Sequence, residues 1–91
     1  MNSFRLTEEE VNYLAEKYPT PFMVVSLDKV EKNYHYLRHR LPRVKVFYAI
    51  KANPEPAVLT RLAGLGSNFD VASEGEIRLL SSLGISGSRM I

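Results

Sequence analysis

The apolar positions of this chain switch between two periods, the helical spacing of three or four residues and the near-continuous runs of buried strands. In TEEEVNYLAEKY (7–18), Val11, Leu14, Ala15 and Tyr18 fall on one helical face. Thr7 and Glu10 have the spacing of a capping box, and Pro19 and Pro21 stop the helix. FMVVSL (22–27) is nearly all apolar, as a strand covered on both faces would be. Asp28 is the expected cap of a second helix, in which Val30, Tyr34, Leu37 and Leu41 recur until Pro42. VKVFYAIKA (44–52) reads as a second strand, followed by Asn53 as N-cap and Pro54 at the first helical position. That third helix carries Val58, Leu59, Leu62 and Leu65, and Gly66 suits its left-handed end. NFDVAS (68–73) is the third strand. A capping box of Ser73 and Glu76 opens a fourth helix with Ile77, Leu80 and Leu83, ended by Gly84, and SRMI (88–91) begins a fourth strand.

Strand starts near 22, 44, 68 and 88 lie about 22 residues apart, each joined to the next by a helix. Such a run of βα units predicts an α/β fold with parallel strands and helical crossovers. The regular spacing is compatible with a flavodoxin-like sheet or with part of a β/α barrel. A barrel needs eight units and about 250 residues, so a chain with three units and a fraction reads as a fragment of one. Residues 1–20 form a helical lead-in, and residues 21–91 the first βα units.

Composition narrows the class. At 91 residues the chain holds one small domain, with an ordinary apolar fraction of 45% and no low-complexity tract. It has no cysteine, which removes disulfide frameworks and thiolate metal sites. No apolar run approaches the roughly 20 residues of a membrane span, and no basic, apolar leader opens the chain, so a cytoplasmic protein without membrane partners is expected. Much of the net charge of +2 sits in RHRLPRVK (38–45), at a helix end where cations favour the dipole. That reads as a solvated helix end and not as a nucleic-acid surface.

The chemistry gathers at FYAIKAN (47–53), where one lysine ends an apolar strand. Alternation along the strand puts Lys51 on the face of Lys45, Phe47 and Ala49, with Val46, Tyr48 and Ile50 turned toward covering helices. In NFDVAS, Asp70 shares a face with Asn68 and Ala72. If neighbouring strands turn these faces to one interior, Lys51 and Asp70 meet near its mouth, at the strand end where such folds place ligands. A plain structural account makes Lys51 a solvated lysine with Asp70 as its salt-bridge partner. The chemical account makes Lys51 a Schiff-base nucleophile in a confined site that favours its neutral form, with Asp70 orienting it.

TPFMVVSLDKVEKNY, FYAIKAN and GSNFDVASEGEI, in this order and spacing, resemble the amino-terminal part of the fold-type III pyridoxal-phosphate decarboxylases. These act on ornithine, lysine, arginine or diaminopimelate, and the likeness is greatest to bacterial lysine/ornithine decarboxylases. It runs from about Phe4 to Ile91. The resemblance implies the first units of an alanine-racemase-type β/α barrel, with pyridoxal 5′-phosphate as cofactor. It also implies an amino-acid substrate yielding a diamine in polyamine metabolism, and a homodimer whose second subunit completes the site. Lys51 would bind the cofactor covalently, Asp70 would match the family aspartate near that lysine, and Ala49 the small residue lining the cofactor. Glu76 would match a glutamate that pairs with the released lysine, a role that competes with its place in the capping box. The phosphate loop, the partner of the ring nitrogen and the substrate-recognising acids are expected beyond Ile91. A diaminopimelate decarboxylase, a racemase using the same lysine and a non-catalytic regulatory relative remain alternatives.

Other motifs add little. GISGS (84–88) leads from a helix into a strand, at the end opposite Lys51, and reads as a turn. His35 and His39 have a zinc-compatible spacing on a helix but no third ligand, so no metal is expected. Ser26 and Ser73 have no histidine base placed to activate them.

Overall fold

The computed structural model describes residues 5–19, 21 and 24–91. Helices α1 (Glu8–Lys17), α2 (Leu27–Arg40), α3 (Pro56–Leu65) and α4 (Glu74–Ser82) alternate with two short strands, β1 (Phe47–Ala49) and β2 (Asn68–Asp70). The strands pair in parallel, with Phe47 opposite Asn68, Tyr48 opposite Phe69 and Ala49 opposite Asp70. Beyond β2 the final residues join the same sheet. Met90 bridges Phe69 in parallel, the Ile91 N–H donates to the Phe69 carbonyl at 2.9 Å, and the Val71 N–H donates to the Ile91 carbonyl at 3.1 Å. The order β1, β2, residues 90–91, each reached through a helix, is that of successive βα units.

The core lies on one side of this sheet. Ile50, Leu59, Phe69 and Leu80 are fully buried, with Tyr34, Val58, Leu62 and Ile85 around them, so α2, α3 and α4 each press an apolar stripe onto the same face. Gly66 ends α3 with φ at +98°, a conformation that L side chains disfavour, and its N–H caps the carbonyl of Ala63 at 3.1 Å. Arg89, in the 3-10 turn Gly87–Arg89, reaches back to this junction and donates to the carbonyls of Ala63, at 2.9 Å, and Ser67.

Several sequence expectations are corrected. Of the expected strand 22–27, Phe22 and Met23 lie outside the described residues, and Val24 to Ser26 pair with no strand. Ser26 instead caps α2, its hydroxyl accepting the Lys29 N–H at 3.1 Å, while Asp28 sits in the first turn, where its charge suits the helix dipole. The strand expected over 44–52 is confined to Phe47–Ala49, because the chain tightens into a 3-10 turn at Ile50–Ala52. Asn53 does not cap α3; Glu55 does, with Pro56 at the start of the helix. The cause is the pair of prolines: Asn53 and Glu55 each precede one, which drives both out of the helical region and delays the helix by two residues.

The predicted faces are also only partly covered. The Thr7–Glu10 box forms in both directions, at 2.9 and 3.1 Å, yet no residue of α1 is buried, and Val11 and Tyr18 stay exposed. In α2, Tyr34 is core, but Leu37 and Leu41 are exposed. Leu37 borders a hollow floored by Val46 and Tyr48 that no described side chain fills. Ile77 of α4 is likewise exposed.

Candidate functional site

The face of the sheet away from the helices is where the sequence places its chemistry. Parallel neighbours opposite one another point to the same side, so Ala49 and Asp70 share this face with Phe47 and Asn68, while Tyr48 and Phe69 turn to the core. Phe47 and Asp70 are exposed on it and Ala49 is half-buried, which makes the face open ground beside a packed layer. Ala49 carries only a methyl group there, so the ground next to Asp70 is uncrowded.

Lys51 comes two residues after Ala49, beyond the C-terminal end of β1, inside the 3-10 turn. The turn breaks the alternation that the sequence extrapolates along the strand. Lys51 is therefore placed by a tight loop and not by the pleat. It is exposed, and among the described residues it makes no ion pair with Asp70 and no hydrogen bond. The salt-bridge account of this pair is therefore not realised.

One contact closes the turn on itself and a second ties it to the strand. The Asn53 N–H donates to the Ile50 carbonyl at 3.0 Å, and the Tyr48 hydroxyl donates to the Asn53 carbonyl, also at 3.0 Å. The Asn53 side-chain carbonyl in turn accepts the Glu55 N–H at 3.1 Å. Burial pushes the Tyr48 phenol above its ordinary pKa, so it remains a donor throughout the neutral range.

Glu76 is engaged at the start of α4. Its Oε1 accepts the Ala72 N–H at 2.7 Å while its own N–H donates to the Ser73 hydroxyl at 3.2 Å. The expected capping box is thus shifted by one residue on its return arm, from Ser73 to Ala72. No hydrogen bond or ion pair joins Glu76 to Lys51; its carboxylate holds the segment that follows Asp70. GISGS lies at the N-terminal side of residues 90–91, with Ser86 capping the turn Gly87–Arg89, and so stands at the opposite end of the sheet from Lys51. His35 and His39 are both exposed.

The residues present suit an aldehyde cofactor such as pyridoxal phosphate. A primary amine with no partner among the described residues stands on the turn beyond the strand, a methyl-sized residue ends the strand two positions before it, and a carboxylate stands across the ladder from that residue. Sequence reasoning found these residues but missed Tyr48 and Asn53. Their role depends on the 3-10 turn, for which the run of β-formers gave no signal beyond the Asn-Pro that follows it.

Comparison with known proteins bears on the same stretch. The family described as "Pyridoxal-dependent decarboxylase, pyridoxal binding domain" matches residues 27–91. The lysine/ornithine decarboxylase of Selenomonas ruminantium is 62% identical over 91 residues, covering 100% of this chain and 23% of that protein. A crystal structure of the lysine decarboxylase from the same organism superposes with a TM-score of 0.96 at 61% identity, over 99% of this chain and 24% of the other. A lysine/ornithine decarboxylase of Vibrio vulnificus, solved as a complex with cadaverine, superposes with a TM-score of 0.85 at 31% identity, over 96% of this chain and 25% of the other. The chain thus spans less than a quarter of the length of the curated relatives it matches, 23% for the Selenomonas protein. With its βα order and its lysine-bearing strand end, it belongs to the pyridoxal-dependent decarboxylases, in their pyridoxal-binding domain.

Proposed function

We propose that this chain supplies the cofactor-holding lysine of a pyridoxal-phosphate-dependent decarboxylase that converts lysine or ornithine to the corresponding diamine. The observation that carries the reading is the seat of Lys51. Among the described residues it is an unpartnered amine, on a fastened turn just past the C-terminal end of a parallel strand, inside the residues that match the pyridoxal-binding family. The 62% identity to the Selenomonas enzyme, over a match that covers the whole chain, favours lysine and ornithine over diaminopimelate as substrates.

Bound at Lys51, pyridoxal phosphate would supply the electron sink for the charge left behind as carbon dioxide departs. The chain's own residues do the rest. The Lys51 ε-amine must shed a proton to act as a nucleophile, and it recovers one when substrate displaces it. Ala49 leaves room on the sheet face beside Asp70. Asp70, opposite Ala49 in the ladder, offers a carboxylate to orient the protonated amine. Glu76 accepts the Ala72 N–H at the start of α4 and so fixes the segment after Asp70, and the family resemblance makes it the carboxylate that receives the freed lysine.

The same reading carries a homodimer working in the cytoplasm, in keeping with the family resemblance. Among the described residues no helix is long and apolar enough to cross a membrane.

The test is a chimera in which residues 1–91 replace the matching quarter of the Selenomonas lysine/ornithine decarboxylase. It should release cadaverine from lysine and putrescine from ornithine, and Lys51→Ala within it should abolish both. A folded chimera in which Lys51→Ala retains diamine release would refute the assignment.

A further inference from the structure

We infer that Tyr48 is a positioning residue for Lys51, its hydroxyl locking from the core side the turn on which the lysine stands. This rests on the reading of Lys51 as the cofactor's lysine. The phenol cannot reach a ligand on the open face, because Tyr48 pairs with Phe69 in the ladder and both side chains turn to the helices. What it touches is the Asn53 carbonyl, 3.0 Å away, two residues past Lys51. With the Asn53 N–H bound to the Ile50 carbonyl at 3.0 Å, the loop Ile50–Asn53 is closed on itself by one bond and tied to the strand by the other.

This second tie matters because the turn has little else. Ile50 is fully buried and anchors one end, but Lys51 and Ala52 are exposed, and among the described residues no side-chain hydrogen bond or ion pair holds Lys51. Asn53 precedes Pro54, and its extended backbone, φ −162° and ψ 106°, sends the chain away from the sheet. Without the Tyr48 hydroxyl, the Asn53 carbonyl would turn to water and the lysine's backbone would sample several orientations. A nucleophile must be held close to its reacting geometry to gain from proximity. Burial also keeps the phenol protonated, so its hydroxyl remains a donor across the neutral range.

Tyr48→Phe removes only the hydroxyl. Two readouts separate positioning from packing: amide exchange at residues 51–53 relative to Phe69, and the ratio of borohydride-trapped pyridoxal phosphate on Lys51 to that on Lys45. Loss of one net hydrogen bond of ordinary strength corresponds to about five-fold, so exchange should quicken, and the Lys51-to-Lys45 ratio fall, by about that factor. Val46→Ala serves as the packing control. It should lower overall stability and leave both ratios where they are. If the parent chain is trapped at Lys51 and Tyr48→Phe changes neither ratio, the role given to Tyr48 is wrong while Lys51 stands. If the parent takes no label at Lys51, the assignment of the lysine has failed and the role of Tyr48 falls with it. The exchange ratio then shows whether the lock exists as a purely structural feature.

Discussion

Arg89→Met tests how the last described turn is bound to the rest of the fold. The substitution keeps most of the aliphatic stem and removes the guanidinium, which donates to the Ala63 carbonyl at 2.9 Å and to that of Ser67. These bonds span 26 and 22 residues of sequence. The two acceptors fare differently afterwards. Ala63 keeps the Gly66 N–H at 3.1 Å, whereas the carbonyl of Ser67, a fully buried residue, loses a charged donor. A hydrogen bond to a charged group contributes about 1.5–3 kcal/mol net. The guanidinium also stands 5.9 Å from the centre of the Phe69 ring, worth about 0.5–1 kcal/mol. Together these give a loss of about 2–4 kcal/mol. That is a large part of a total on the order of 5–14 kcal/mol for a domain of this size. With a urea slope of about 1–1.5 kcal/mol per molar, the midpoint should fall by about 2 M in a titration followed by circular dichroism. Arg89→Lys, which keeps a charge but not the fork, should fall in between. A midpoint for Arg89→Met within about 0.3 M of the parent, with an unchanged slope, would show that the two long-range bonds contribute nothing and refute the reasoning.

Two further expectations come from backbone conformation and charge. Gly66→Ala should destabilise by about 1 kcal/mol, because φ is +98° there while an added methyl would meet nothing closer than the Tyr34 hydroxyl at 3.9 Å. Gly64→Ala, in the same helix with open space around it, should stabilise by about 0.5–1 kcal/mol, and thermal melts of the pair separate conformation from crowding. Glu10 is held below its ordinary pKa first by the Thr7 N–H and then by the Thr7 hydroxyl. Its folded value is depressed, so its support for α1 is complete above about pH 4.5, the ordinary value, and is lost as pH falls through the lower folded one. An NMR titration of the Glu10 carboxyl at or above the ordinary value would contradict this.

What could be read in the sequence was local. The Thr7–Glu10 box, the Gly66 end of α3 and the apolar stripe of Val58, Leu59 and Leu62 each depend on residues within a few positions, and each forms as expected. Of the strand expected over 88–91, only residues 90 and 91 join the sheet, where Met90 bridges Phe69, because Ser88 and Arg89 stay in the 3-10 turn Gly87–Arg89. The errors arise where two local signals compete. Asn53-Pro54 and Glu55-Pro56 both resemble a helix start, and the second wins because the first leaves a pre-proline residue inside the would-be helix. Ser26 and Asp28 both can cap, and the serine takes the position. The expected strand 44–52 is too long because β-forming composition does not reveal a 3-10 turn, so the face that alternation assigns to both Lys51 and Ala49 runs past the point where the pleat stops.

The candidate site divides along the same line. Lys51, Ala49 and Asp70 stand out by residue type at a strand end, and the ladder does set Ala49 against Asp70. Tyr48 and Arg89 do not stand out, since a tyrosine in an apolar strand and an arginine in a turn are unremarked until their hydroxyl and guanidinium are seen to reach distant carbonyls.

The most direct measurement of the central claim is the distribution of one label over five lysines. Lys17, Lys29, Lys32 and Lys45 provide the internal comparison. Incubating the chain with less than one equivalent of pyridoxal phosphate, reducing with borohydride and mapping the peptides should place most of the adduct on Lys51. Label spread evenly over the lysines, or concentrated away from Lys51, would contradict the account.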